Sequence, residues 1–486
     1  MDRRLFIASV VALPSLALAE PPSTAVRPAF RSSTSFRRSA GLLDVSLSKN
    51  TSFALFDAEN GEMLDSYQPD MTLPPASVTK IVTAIYARSV LGADYRFVTR
   101  LLVTGPTVNG IVQGDLYLVG RGDPALDTDE LAELASAAVD AGVHGISGRF
   151  VVDHSALPAI NQIDPDQPVH LGYNPSISGL NLNFNRVFFG WKQTVDGYNL
   201  TLDARAVQNK PLVRWIGIRA EDRGAPVFKY SKRNGRDHWS VARSALGKEG
   251  GRWLPVRQTA DYAGEVFRTL ASVSGLKLPV HERGVAPIST TELARFESNP
   301  MDEVLRWMLK YSNNLTAECI GLTATQTLGH VPSSLLDSTL VMEKWVQDNL
   351  GVAGVKFENH SGLTDLSRVS AAQMAGILAH RDSQSELNGL LKRFNLLDRR
   401  GDLMEMDGTS IVAKTGTLNF TRGLAGYFER GGRKYSFAIF TADLAERKSI
   451  PLAQRERPPG AKNWSGKAKR QEQALLRHWL ENVDEP

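Results

Sequence analysis

A single cysteine, Cys319, stands in 486 residues, so no intramolecular disulfide is available to the fold. Its neighbours Ala317, Ile320 and Leu322 mark it as a buried structural thiol rather than a nucleophile. The nine histidines are scattered, with no ligand spacing such as His-x-x-x-His, and no metal or organic cofactor is expected. Charge of one sign is not in excess. The 56 basic residues face 52 acidic ones, a formal charge of +4 that argues against a nucleic-acid binder. Beyond the first twenty residues there is no run of 18 apolar residues, so nothing in the mature chain is expected to span a membrane. Gly120-Arg121-Gly122-Asp123 lacks the Lys-Ser/Thr that a phosphate loop needs and reads as a turn.

What the chain does have is three short motifs in fixed order: Ser77-Val78-Thr79-Lys80, Ser312-Asn313-Asn314 and Lys414-Thr415-Gly416. An acyl-enzyme mechanism needs a nucleophile, a base that is neutral near pH 7, and donors for the oxyanion and a substrate carboxylate. The three motifs supply these parts. Ser-x-x-Lys also occurs at Ser46-Lys49 and Ser274-Lys277, but only Ser77 is followed by a helical pattern, Lys80 to Leu91, with Gly92 as its stop. On a helix, residues i and i+3 share a face with Cβ atoms roughly 5–6 Å apart, so Lys80 reaches the Ser77 hydroxyl; a strand would send them to opposite faces. Ser410 to Leu418 reads as a strand with Gly416 inside it, a mark of close approach by a ligand or another backbone. Pro300 to Lys310 reads as a helix with acids in its first turn, and the Ser312 motif interrupts the pattern before Leu315 resumes it. Ser312 and Asn314 are therefore expected at a helix–helix connection.

Further stretches carry a resemblance: Leu73-Pro74-Pro75-Ala76, Gly114 to Pro124, Asn359-His360-Ser361-Gly362-Leu363 and Gly423-Leu424-Ala425-Gly426-Tyr427. With the three motifs they resemble the penicilloyl-serine transferases, and most closely the low-molecular-mass class C penicillin-binding proteins, periplasmic D-alanyl-D-alanine carboxypeptidase/endopeptidases. The likeness runs from about Thr51 to the C-terminal helix. It departs at Asn359-His360, where the family more often has Asp-Gly. The resemblance implies an α/β (α+β) transpeptidase-like sandwich interrupted by a large, mainly β insertion of one or two domains. It also implies roles. Ser77 is the nucleophile and Lys80 its base, Ser312 relays a proton to the leaving amine, and Asn314 anchors Lys80 or the substrate amide. Lys414, Thr415, Gly416 and Thr417 bind the substrate, with the backbone N–H groups of Ser77 and Thr417 as the oxyanion hole. The implied partners are peptidoglycan stem peptides, with β-lactams as inhibitors. A β-lactamase of the same fold and a non-catalytic cell-wall or β-lactam binding protein stay open as alternatives.

Organisation follows from spacing. Residues 1–19 read as a cleavable signal, with Arg3-Arg4 before the apolar run Leu5 to Leu18 and a small-x-small end at Ala17-Leu18-Ala19. The twin arginines also fit an export route for folded chains, and the implied location is periplasmic. Residues 20–43, with Arg27, Arg31, Arg37 and Arg38, read as a disordered basic leader. Asn60-Gly61 predicts a hairpin of Ser52–Asp57 with Glu62–Tyr67. About 230 residues separate Lys80 from Ser312, more than a typical domain, so 44–93 and 298–486 are expected to form the catalytic unit around inserted domains at 94–297. Asp164 and Asp166 are read as turn formers, with reading a substrate amine as the lesser alternative. A basic segment, 447–470, around Pro458-Pro459-Gly460 is expected to be a solvated linker, with peripheral contact to anionic wall polymer or membrane as the alternative. An amphipathic helix is expected near Gln471 to Glu481.

Overall fold

The protein was analysed as a computed structural model that describes residues 39–404 and 407–483. The signal and the leader up to Arg38 lie outside the described residues.

A five-stranded antiparallel sheet organises the catalytic unit, in the order Ser410–Leu418, Thr421–Arg430, Arg433–Ala442, Thr51–Asp57, Met63–Tyr67. The early hairpin thus completes a sheet whose other strands come from the end of the chain. Thr51–Asp57 is buried along its whole length and pairs Phe53 with Ile439. Alternation then sorts its side chains. Phe53 and Leu55, with Leu424 and Phe437, pack under the C-terminal helix around Trp479. Ala54 and Phe56, with Ala425 and Phe440, face the helical layer of Thr79–Leu91 and Ala371–Ala379. The hairpin bend spans residues 58–62, with Gly61 at φ +74°, and a register irregularity at Leu55/Phe56 absorbs its extra length.

The inserted region carries a second five-stranded sheet, ordered Glu282–Arg283, Phe150–Asp153, Leu116–Val119, Val98–Val103, Thr291–Glu297, and further small sheets. Two helices, Thr128–Asp140 and Thr259–Ser274, pack on each other and on this sheet, within an insertion that is otherwise mainly β as expected. Their signals were local. Asp127 accepts from the Asp129 and Glu130 N–H groups while the Glu130 side chain caps back, and Gly275 takes the left-handed conformation that ends the second helix.

The linker expectation for 447–470 is corrected. The C-terminal helix spans Ala461–Asn482, beginning ten residues before the expected start, so Lys462, Lys467, Lys469 and Arg470 are helical. Arg447 is buried and pairs with Asp365, and its Nη1 donates to the Asn419 carbonyl. The proline pair confines the break to a few residues, and Gly460, at φ +77°, starts the helix immediately after it. Arg455 donates to the Asp166 carbonyl and Glu456 pairs with His170, so this stretch ties the sheet end to the insertion. Among the described residues no helix is long and apolar enough to cross a membrane, and no cluster of His, Cys, Asp and Glu is arranged to hold a metal ion. Cys319 is fully buried, which pushes its thiol well up.

Candidate active site

The nucleophile sits where strand, turn and helix meet. Ala76–Val78 forms one 3-10 turn that runs straight into the helix Thr79–Leu91, so Ser77 is half-buried at the helix mouth and Lys80 lies one turn in, fully buried. Lys80 Nζ is 3.1 Å from Ser77 Oγ, 2.7 Å from Asn314 Oδ1 and 2.7 Å from the Ser361 carbonyl oxygen. The last two are oxygens that only accept. A neutral amine would satisfy them with its two N–H bonds and keep its lone pair for the proton of Ser77. Burial, and then the positive charge of Lys414, lower the Lys80 amine well below the ordinary lysine range, while Glu318 opposes them.

Ser312 is the hinge of the second motif. The helix Met301–Tyr311 ends there, with Ser312 at φ +58°, in the left-handed region, and the next helix starts at Asn314. Asn313 caps that helix by accepting from Thr316 N–H, which frees its neighbours to face the cleft. Lys414 Nζ donates to Ser312 Oγ at 3.0 Å and to the Thr415 carbonyl at 2.7 Å, while Asn314 Nδ2 donates to the Tyr173 carbonyl of the insertion at 2.8 Å. Ser77, Lys80 and Asn314 thus form one hydrogen-bonded group and Ser312 with Lys414 a second, and the two are coupled by the charge of Lys414 acting on Lys80. Burial, helped by the charge of Lys392, pushes the Lys414 amine down to about 7.

Gly416 explains the third motif. A Cβ there would lie 2.6 Å from the Pro75 carbonyl oxygen and 3.0 Å from the Ser77 nitrogen, so only glycine lets the strand pass the nucleophile turn. Thr415 is half-buried and Thr417 exposed on the same strand, two residues apart and so on one face. Asp164 joins neither hydrogen-bonded group: it accepts from Gln167 Nε2 and the Asp166 N–H, as a turn former does, while Asp166 is exposed.

Glu318 escaped the sequence reading, as did the contacts of His360. Glu318 is fully buried, and its carboxylate accepts from the His360 and Ser361 N–H groups, both at 2.9 Å, fixing the segment whose carbonyl holds Lys80. Its signal was the i, i+4 spacing from Asn314, which puts both on one helix face. His360, at the departure noted above, is also fully buried. Its Nε2 is 2.8 Å from Ser338 Oγ, burial drives its imidazole down to about 3, and Gly321 makes room for the ring.

Residues 39–456 match the D-Ala-D-Ala carboxypeptidase 3 (S13) family. The chain belongs to this family. Among similar proteins, the D-alanyl-D-alanine carboxypeptidase of Actinomadura sp. is 26% identical over 84% of this chain and 83% of its own. The D-alanyl-D-alanine carboxypeptidase DacB of Haemophilus influenzae is 23% identical over 84% of this chain and 90% of its own. The crystal structure of penicillin binding protein 4 (dacB) from H. influenzae superposes with a TM-score of 0.68 at 21% identity, covering 87% of this chain and 98% of that one. Its form complexed with a β-lactam gives 0.66, at 21% identity, over 85% and 96% of the two chains. The family fold is therefore shared nearly end to end, insertion included.

Proposed function

We propose that the protein is a serine D-alanyl-D-alanine carboxypeptidase, with endopeptidase capacity, that acts on peptidoglycan stem peptides in the periplasm. The observation that carries this is the contact of Lys80 Nζ with Ser77 Oγ in a fully buried setting whose other two partners are fixed acceptors. Family membership supplies the substrate class.

In this reading Ser77 Oγ attacks the carbonyl of the penultimate D-alanine while Lys80 takes its proton. The backbone N–H groups of Ser77 and Thr417 receive the oxyanion. Lys414, Thr415 and Thr417 hold the terminal carboxylate, whose arrival favours the charged form of Lys414. That charge in turn keeps Lys80 neutral and ready to act as base. Ser312, hydrogen-bonded to Lys414, passes a proton to the departing amine and regains the one Lys80 took, so the C–N bond breaks as the acyl–Ser77 ester forms and Lys80 is neutral again. Water then gives its proton to neutral Lys80 and attacks the ester, and Lys80 returns that proton to Ser77 as the shortened peptide leaves. β-Lactams would acylate Ser77 by the same route. The Arg3-Arg4 signal at 1–19 supports export. Location is tested by fractionating cells that carry the full chain: a periplasmic, shortened product supports it, and a cytoplasmic, full-length product overturns it.

The activity is tested by release of free D-alanine from a stem pentapeptide. Wild type should release it and Ser77→Ala should not. Release that survives Ser77→Ala, or no release by folded wild type, would refute the assignment.

A further inference from the structure

Two cavities of about 700 and 480 Å³ open side by side along the C-terminal helix and share Leu397, Lys469 and Gln473 in their walls. The smaller begins at Thr415 and Thr417, on the strand edge that receives the substrate carboxylate in the reading above. Their joint lining is strongly one-sided: nine cationic side chains against two carboxylates, Asp44 and Asp398. Both carboxylates are occupied locally. Asp44 accepts from the N–H and hydroxyl of Ser46, and Asp398 accepts from the N–H groups of Arg400 and Asp402. Among the described residues, Lys392, Arg393, Lys469, Arg399 and Arg400 are exposed and make no ion pair with a carboxylate. Arg422, by contrast, is committed to the buried Glu472 and stiffens the wall. Like charges gathered in one cleft raise its potential and draw in an oppositely charged ligand.

We propose that the joined cavities form a binding groove for an acidic peptide, the part of a cross-linked substrate that lies beyond the scissile bond. This rests on the D-alanyl-D-alanine peptidase reading. A carboxypeptidase substrate ends at the D-alanine carboxylate and has nothing to place there. In an endopeptidase substrate the residue on the leaving side is joined to a second stem peptide, a chain with several carboxylates. Only that substrate would use the groove. Lys392 also lies close enough to weigh on Lys414, so filling the groove with negative charge would strengthen the cationic form of Lys414 at the moment it is needed.

The test compares a stem pentapeptide with a purified cross-linked muropeptide dimer, using wild type and Arg393→Gln/Lys469→Gln. The double variant should lose roughly tenfold in kcat/KM on the dimer at low salt, while its rate on the pentapeptide stays within about twofold. Added salt should slow wild type on the dimer and affect the variant less. Arg399→Gln/Arg400→Gln, changed farther along the groove, should give a smaller loss on the dimer alone. An equal fall on both substrates, or an unchanged rate on the dimer, would overturn the groove. Loss of binding to an anionic wall polymer with dimer cleavage intact would overturn it in favour of the polymer. Cleavage of the pentapeptide but not the dimer by wild type would remove the groove and leave the carboxypeptidase reading standing; cleavage of neither would remove both.

Discussion

Gly362→Ala should disable the nucleophile without touching a reacting group. Gly362 has φ +73°, and a Cβ on it would lie 1.9 Å from the Ala76 carbonyl oxygen, 2.6 Å from the Ala76 carbonyl carbon and 2.7 Å from Thr79 Oγ1. The loop cannot retreat easily, because Asn359 Oδ1 accepts from the N–H groups of Gly362 and Leu363 at 2.8 and 3.1 Å. The Ala76 carbonyl must therefore give way by about 1 Å, and Ser77 is its immediate neighbour. Left-handed backbone costs a non-glycine residue about 1–2 kcal/mol, and overpacking adds about 1–3 kcal/mol, so a destabilisation of about 2–5 kcal/mol is expected. A displacement of that size at a nucleophile costs roughly a hundredfold in rate. Gly389→Ala is the control: its φ is +71°, yet nothing lies within 4 Å of its added Cβ, so it carries the backbone strain without the clash. Fluorescent penicillin labelling over time, with thermal melts of all three proteins, separates the terms. Gly362→Ala should label about a hundredfold more slowly and Gly389→Ala at the wild-type rate. A folded Gly362→Ala that labels within about threefold of wild type would refute the geometry.

Lys414→Met removes the charge that helps hold Lys80 neutral, so the Lys80 amine should rise and the acid limb of penicillin acylation should move to higher pH; a pH–rate profile whose limb stays or moves down contradicts this. Asn314→Ala deletes an acceptor of Lys80 and the tie to the Tyr173 carbonyl, and acylation measured under single-turnover conditions should fall about a hundredfold. Gly321→Ala would put a Cβ 2.3 Å from the His360 ring and should cost about 1–3 kcal/mol in a denaturant melt. Adding His360→Gly removes the ring it strikes, so the pair should be clearly non-additive; strict additivity would mean the two do not meet.

The parts legible in sequence were those whose chemistry is local. Ser77 and Lys80 are one helical turn apart, the apolar run behind them fixes the helix, and Gly92 ends it at φ +89°. Gly416 inside a strand announced a close approach, which proved to be to Pro75 and Ser77. What the spacing could not give was the third dimension. Ser361, 281 residues from Lys80, supplies a backbone carbonyl, a group every residue has and no motif can flag. Glu318 belongs to no motif, and only the fold buries it against the 360–361 backbone. The start of the last helix was misjudged for the opposite reason: Lys462, Lys467, Lys469 and Arg470 are polar enough for a linker, and only packing of Leu475, Leu476 and Trp479 on the sheet carries the helix back to Ala461. Near-equal basic and acidic totals likewise hid a groove in which one sign dominates.

The central claim is an acyl-enzyme on Ser77 whose base is Lys80. The most direct measurement is the intact mass of the mature protein after exposure to fluorescent penicillin, with the adduct located by peptide mapping and Ser77→Ala run in parallel. The account predicts one penicilloyl group per chain, on Ser77, and none on the variant. An adduct elsewhere, or equal labelling of the variant, would contradict it.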